Sequence, residues 1–147
     1  MTGLLCLNQV VGLSKMSKLP REKRGSVFAV SEMIMPRTSR EILVFAALAF
    51  TAGISEEFLY RGFAFMAFVR MIVNYGPPST MAALLSSLWF AVAHAYQGRR
   101  GLITTFVVGL IFASVRIWTG SILPAMAAHF GIDLVAGLCF SRLLRST

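Results

Sequence analysis

Six polar side chains, Glu56, Glu57, Arg61, His94, His129 and Asp133, stand inside stretches of sequence that are otherwise apolar. As a set they suit proton transfer. A carboxylate withdrawn from water accepts a proton near neutral pH when no cation holds it in its charged form. A histidine beside it can hold or polarise the same water. A second histidine with a hydrogen-bonding neighbour can stabilise a developing oxyanion. No nucleophile competes for the role: Cys6 and Cys139 fall outside these polar stripes, and no Gly-x-Ser-x-Gly elbow occurs. Activation of water fits these residue types better than a covalent intermediate.

Spacing divides the labour. Glu56 and Glu57 are neighbours, so on a helix they point about 100° apart and cannot share a target. Glu57 and Arg61 are four residues apart, in the order that favours an ion pair. The arginine makes Glu57 the weaker base and leaves Glu56 to face a pocket. Phe90 and His94 are also four apart, which lets the ring pack beside the imidazole, and His129 and Asp133 share a helix face in the same way. Singly, each has a plainer reading: a helix-bracing ion pair, a histidine bonded to a backbone carbonyl, a phenylalanine that only packs. Together they resist it, because a charge at the centre of a bilayer costs roughly 2.5–3.5 kcal/mol on insertion scales. The expectation is that Glu56, His94, His129 and Asp133 converge on one cavity, with Glu57, Arg61 and Phe90 as its supports.

The elements that must position them are membrane helices. Of 147 residues, 56% are hydrophobic and 14% charged, where a soluble domain carries about 25% charged residues; the mean hydropathy is +0.73. Disorder is excluded, and an ordinary soluble globule of this size would lack the charges to cover its surface. The net charge of +8 does not point to nucleic acid, because the basic residues cluster between apolar blocks: Lys15, Lys18, Arg21, Lys23 and Arg24, then Arg99 and Arg100, then Arg142 and Arg145. That distribution suits cytoplasmic loops and contact with anionic lipid headgroups. The start of the chain has no basic n-region, and its apolar run from Leu4 to Leu13 is interrupted by Asn8 and Gln9, so a cleavable signal is not expected.

Four apolar blocks, 41–73, 80–97, 102–118 and 121–141, are separated by Gly76-Pro77-Pro78-Ser79, Gly98-Arg99-Arg100-Gly101 and Thr119-Gly120. None alternates as a strand does. The predicted fold is all-α: a polytopic transmembrane bundle of about four crossings, plus an interfacial or re-entrant helix over Glu41–Ala52 that breaks at Gly53. Residues 1–40 read as a basic interfacial or poorly ordered arm, 41–141 as the membrane core, and 142–147 as a basic tail. The positive-inside rule then places both termini in the cytoplasm of a multi-pass protein of the plasma membrane. Two crossings within 41–73 would reverse that parity.

At these residues the sequence resembles the CPBP family of intramembrane proteases, also called the CAAX-protease and bacteriocin-processing or Abi family. Three motifs carry the resemblance, in order and in helical context: Glu56-Glu57-Phe58-Leu59-Tyr60-Arg61 followed by Gly62, Phe90 with His94, and His129 with Asp133. Ala52-Gly53-Ile54-Ser55 and Thr119-Gly120-Ser121 are similar to the family as well. The resemblance covers about residues 36–141. It implies an all-helical membrane endopeptidase in which Glu56 and His94 activate water. His129 and Asp133 would stabilise the tetrahedral intermediate, and Glu57 and Arg61 would hold the site together. It also implies a membrane-associated or prenylated peptide as substrate, cleaved near its C-terminus.

Metal dependence stays open. Glu56, His94 and His129 are ligand types that permit Zn2+, and the family has been read both as metalloproteases and as glutamate enzymes without zinc; His-Glu-x-x-His is absent. The sequence departs from the family twice. Further membrane helices usually precede this core, where here about 40 mostly non-spanning residues stand, and Asp133 replaces the commoner Asn. Two other classes of function fit the same helices: a non-catalytic membrane scaffold or bacteriocin-immunity protein, which would tolerate Glu56→Ala and His94→Ala, and an ion or metal transporter, which would move ions and cleave nothing.

Overall fold

The structure is a computed structural model and describes residues 36–145. The expected arm over 1–40 therefore lies outside the described residues up to position 35, and Cys6 with it. Among the described residues all regular structure is helical. Helix α1 (Ser39–Glu57) leads into a π-helical segment (Phe58–Ala64) and then α2 (Phe65–Ile72). Helix α3 (Pro78–Ala93), a 3-10 turn (Ala95–Gln97), α4 (Gly98–Thr119) and α5 (Leu123–Arg145) follow. Two runs, Ser39–Ile72 with 34 residues and Ala95–Thr119 with 25, are long and apolar enough to cross a membrane; Pro78–Ala93 and Leu123–Cys139 are shorter apolar helices.

Local chemistry sets the ends. Pro78 occupies the first helical positions of α3, where its missing N–H costs nothing. Gly120 closes α4 in the left-handed region, its N–H bonded to the Arg116 carbonyl at 3.0 Å. The expected break at Gly53 is not there: α1 stays regular through it, and the irregularity comes five residues later, in the π segment. There the Phe65 N–H reaches back to the Tyr60 carbonyl, one residue further than in an α-helix. The turn after α3 is displaced too. The helix stops at Ala93 rather than 97, and Arg99, Arg100 and Gly101 belong to the first turn of α4. Gly98 makes the reversal with φ +74°, and Gly101 allows it, because a Cβ there would run into the Gln97 side chain.

The described residues divide into two compact units, 36–52 with 128–145, and 53–127. In the first, Phe45 packs where Gly137 has no side chain, and Phe50 meets Phe130 edge-on at 5.7 Å. In the second, the apolar core is Phe65, Ala82, Ala83 and Ala113, with Phe68 and Val69 against it. Small residues at the contact of α3 with its neighbours let the backbones approach, as helices in lipid require. The radial order is inverted relative to a soluble protein. Glu57, Arg61, Ser86 and Ser87 are fully buried, while Leu43, Phe63, Val92 and Trp118 face outward. Lipid explains this distribution and water does not.

Candidate active site

Glu56 and Glu57 end α1 side by side and go to different places. The Glu57 carboxylate is completely buried and bonded to Arg61, Nη1 to Oε1 at 2.8 Å. The buried positions Glu57, Tyr60, Arg61, Ala64 and Phe65 form a single inward stripe, so the π segment carries the stripe on without losing its face. Arg61 is wholly enclosed. One edge of its guanidinium meets Glu57; its centre lies 4.4 Å from the Phe90 ring and 5.4 Å from the Phe112 ring. The Nε and Nη2 atoms have no hydrogen-bond acceptor among the described residues. The two ring faces take part of the charge that acceptors would otherwise meet.

Glu56 turns to His94. Its Oε2 atom lies 3.7 Å from His94 Nε2, with the two side chains 31% and 18% exposed. This pair is reachable where Glu57–Arg61 is sealed, although Oε2 itself is shielded. His94 owes its position to the end of α3. It caps the helix with φ −100° and ψ 15°, in a region where active-site residues often sit. Its N–H bonds to the Ala91 carbonyl at 3.0 Å. The Phe90 carbonyl is one of the last four of the helix, which intrahelical bonding leaves open, and the His94 ring takes it: Nδ1 lies 2.8 Å from that oxygen. A carbonyl oxygen only accepts, so Nδ1 carries the proton; in the neutral form of the ring Nε2 then presents its lone pair toward Glu56. The Phe90 and His94 rings pack at 4.6 Å between centroids.

This arrangement suits a bridging water. A gap of 3.7 Å is too long for a good hydrogen bond, and a modest widening admits one water donating to both atoms. A carboxylate and an imidazole lone pair are both acceptors. A water between them gives one proton to each and keeps its own lone pairs outward, as attack on a carbonyl carbon requires.

His129 and Asp133 lie in the other unit, where His129 Nε2 is 3.5 Å from Asp133 Oδ2. The imidazole is nearly buried and the carboxylate 37% exposed. The structure places Glu57 with Arg61 and Glu56 with His94 in one unit, and His129 with Asp133 in the other. Sequence reading missed Phe112, Ser87 and Gly109, which enclose Arg61 from α3 and α4. The only hint was a glycine and a serine amid apolar helix, which any close helix contact would also produce.

No group of three or more His, Cys, Asp or Glu side chains placed to hold a metal ion occurs among the described residues. Glu56 and His94 offer two donors, short of the three protein ligands a catalytic zinc takes. Within residues 53–127 this pair alone does not make a metal site.

The family model described as type II CAAX prenyl endopeptidase Rce1-like matches residues 38–135, which contain all three pairs. Among curated proteins, an uncharacterized 24.3 kDa protein of Escherichia coli is 34% identical over 89 residues, covering 60% of this chain and 40% of that protein. The match thus spans less than half the length of that relative. No solved structure matches the chain.

Proposed function

This chain belongs to the type II CAAX prenyl endopeptidase Rce1-like family, and from that premise we propose that it is an intramembrane endopeptidase that activates water between Glu56 and His94. One observation carries the reading: Glu56 Oε2 and His94 Nε2 lie 3.7 Å apart between two partly exposed side chains, beside an acid–base pair that is sealed. The bridging water attacks the scissile carbonyl carbon as Glu56 takes its proton. The new C–O bond makes a tetrahedral oxyanion. In this reading His129 and Asp133 stabilise it. The C–N bond then breaks, and Glu56 passes its proton to the leaving amine. Glu57 and Arg61 hold α1 and its π segment so that Glu56 keeps its aim.

The substrate in this reading is a membrane-associated peptide, prenylated and cleaved near its C-terminus. The chain crosses the plasma membrane several times with both termini in the cytoplasm, as the clustering of its basic residues supports. The test is cleavage of a lipidated peptide library by the full chain in detergent, with and without a chelator, beside Glu56→Gln and His94→Ala. Cleavage by the natural sequence, lost in both variants and retained in chelator, is expected. Absence of cleavage, or equal cleavage by Glu56→Gln, sinks the proposal; ion flux in proteoliposomes without cleavage would favour a transporter.

A further inference from the structure

The seat of Arg61 has four walls, and they come in two matched pairs. Helix α3 supplies Ser87 and, three residues on, Phe90; α4 supplies Gly109 and, three residues on, Phe112. The two phenylalanines cover the guanidinium, and the two small residues lie one turn below them. Gly109 is the tightest point. A Cβ there would stand 3.0 Å from Ser87 Cβ, 3.1 Å from Arg61 Nη2 and 3.2 Å from Ser87 Cα. Ser87 Oγ is buried with no hydrogen-bond partner among the described residues, so the serine serves here by its size rather than its hydroxyl. The guanidinium cannot easily retreat, because Glu57 holds its Nη1 and rings cover it.

We propose that Gly109 is a positioning residue for the Glu56–His94 pair: the missing side chain admits the Arg61 guanidinium, which in turn sets Phe90 and, through it, His94. The link is short. Arg61 stacks on the Phe90 ring at 4.4 Å, that ring packs on the imidazole at 4.6 Å, and the Phe90 carbonyl fixes Nδ1 at 2.8 Å. Arg61 also holds Glu57, the residue beside Glu56. A methyl group at 109 displaces the guanidinium, and the 3.7 Å gap between Oε2 and Nε2 changes with it. The role in turnover rests on the endopeptidase reading; the seat itself does not.

The experiment is a set of double-mutant cycles on the full chain in detergent, read by thermal midpoint and by peptide cleavage. Gly109→Ala is expected to lower kcat about 10- to 100-fold with KM little changed, since small misplacements cost that much. Lysine has no Nη2, so on an Arg61→Lys background the added methyl should lower the midpoint far less than it does in the natural sequence. Ser87→Gly removes the Ser87 Cβ contact and leaves the guanidinium contact. On that background Gly109→Ala should still lower both midpoint and kcat. Additive midpoint shifts in the Arg61→Lys cycle, or full recovery in the Ser87→Gly cycle, would show that Gly109 only spaces two helices and would overturn the proposal. If the natural sequence cleaves nothing, the endopeptidase reading fails while the midpoint cycles still decide the seat.

Discussion

Two acid–base pairs begin at adjacent residues of one helix and end in opposite environments. Glu57–Arg61 is fully buried at 2.8 Å; Glu56–His94 is partly open at 3.7 Å. The sealed pair has an arginine, which stays charged, and is enclosed by Phe90, Phe112 and Gly109. The open pair has a histidine held at a helix end by a backbone carbonyl. Two glutamates of identical chemistry thus receive different work from their surroundings. In the proposed reading the buried carboxylate paired with arginine braces the fold, and the partly exposed one opposite histidine moves protons.

Substitution at the open pair should produce the largest functional loss with the smallest structural one. Glu56→Gln keeps shape and removes the base, so cleavage should fall by about 10²–10⁴-fold. Its thermal midpoint in detergent should stay near that of the natural sequence. A stable, active Glu56→Gln beside an inactive, stable Glu57→Gln would reverse the two roles.

At the sealed pair the order inverts. Arg61→Ala strands the Glu57 carboxylate inside the protein, and breaking a buried pair this way costs about 3–5 kcal/mol. Folded yield after detergent extraction, measured by size-exclusion chromatography, should drop sharply. Normal yield together with normal activity would show that the pair supports nothing. Glu57→Gln should be milder, because the amide oxygen can still accept from Nη1; its loss of midpoint should be at least as visible as its loss of cleavage.

Phe112→Leu sharpens the comparison further. It keeps an apolar side chain of useful size and removes a ring face from the guanidinium, a loss of about 0.5–2 kcal/mol. The midpoint should fall by less than in Arg61→Ala, and by less still on an Arg61→Ala background, where only the packing loss remains. The smallest effect is expected at Trp118, which is 87% exposed. Trp118→Phe should change the midpoint in detergent by an amount within about 0.5 kcal/mol, as outward-facing substitutions usually do.

Helix type, the blocks and two of the three turns were legible along the chain, because apolar runs between Gly and Pro admit few alternatives. The pairs Glu57–Arg61, Phe90–His94 and His129–Asp133 were legible for the same reason: four residues make one helical turn, so spacing alone sets neighbours. Tertiary structure decided the rest. Which glutamate faces histidine depends on packing of the π segment against α3, a contact between residues far apart in sequence. The end of α3 at Ala93, which frees the Phe90 carbonyl for His94, depends on a turn whose glycines permit it without dictating it. The enclosure of Arg61 needs Ser87 and Gly109 to meet across two helices, and a one-dimensional pattern carries no record of which small residues face each other.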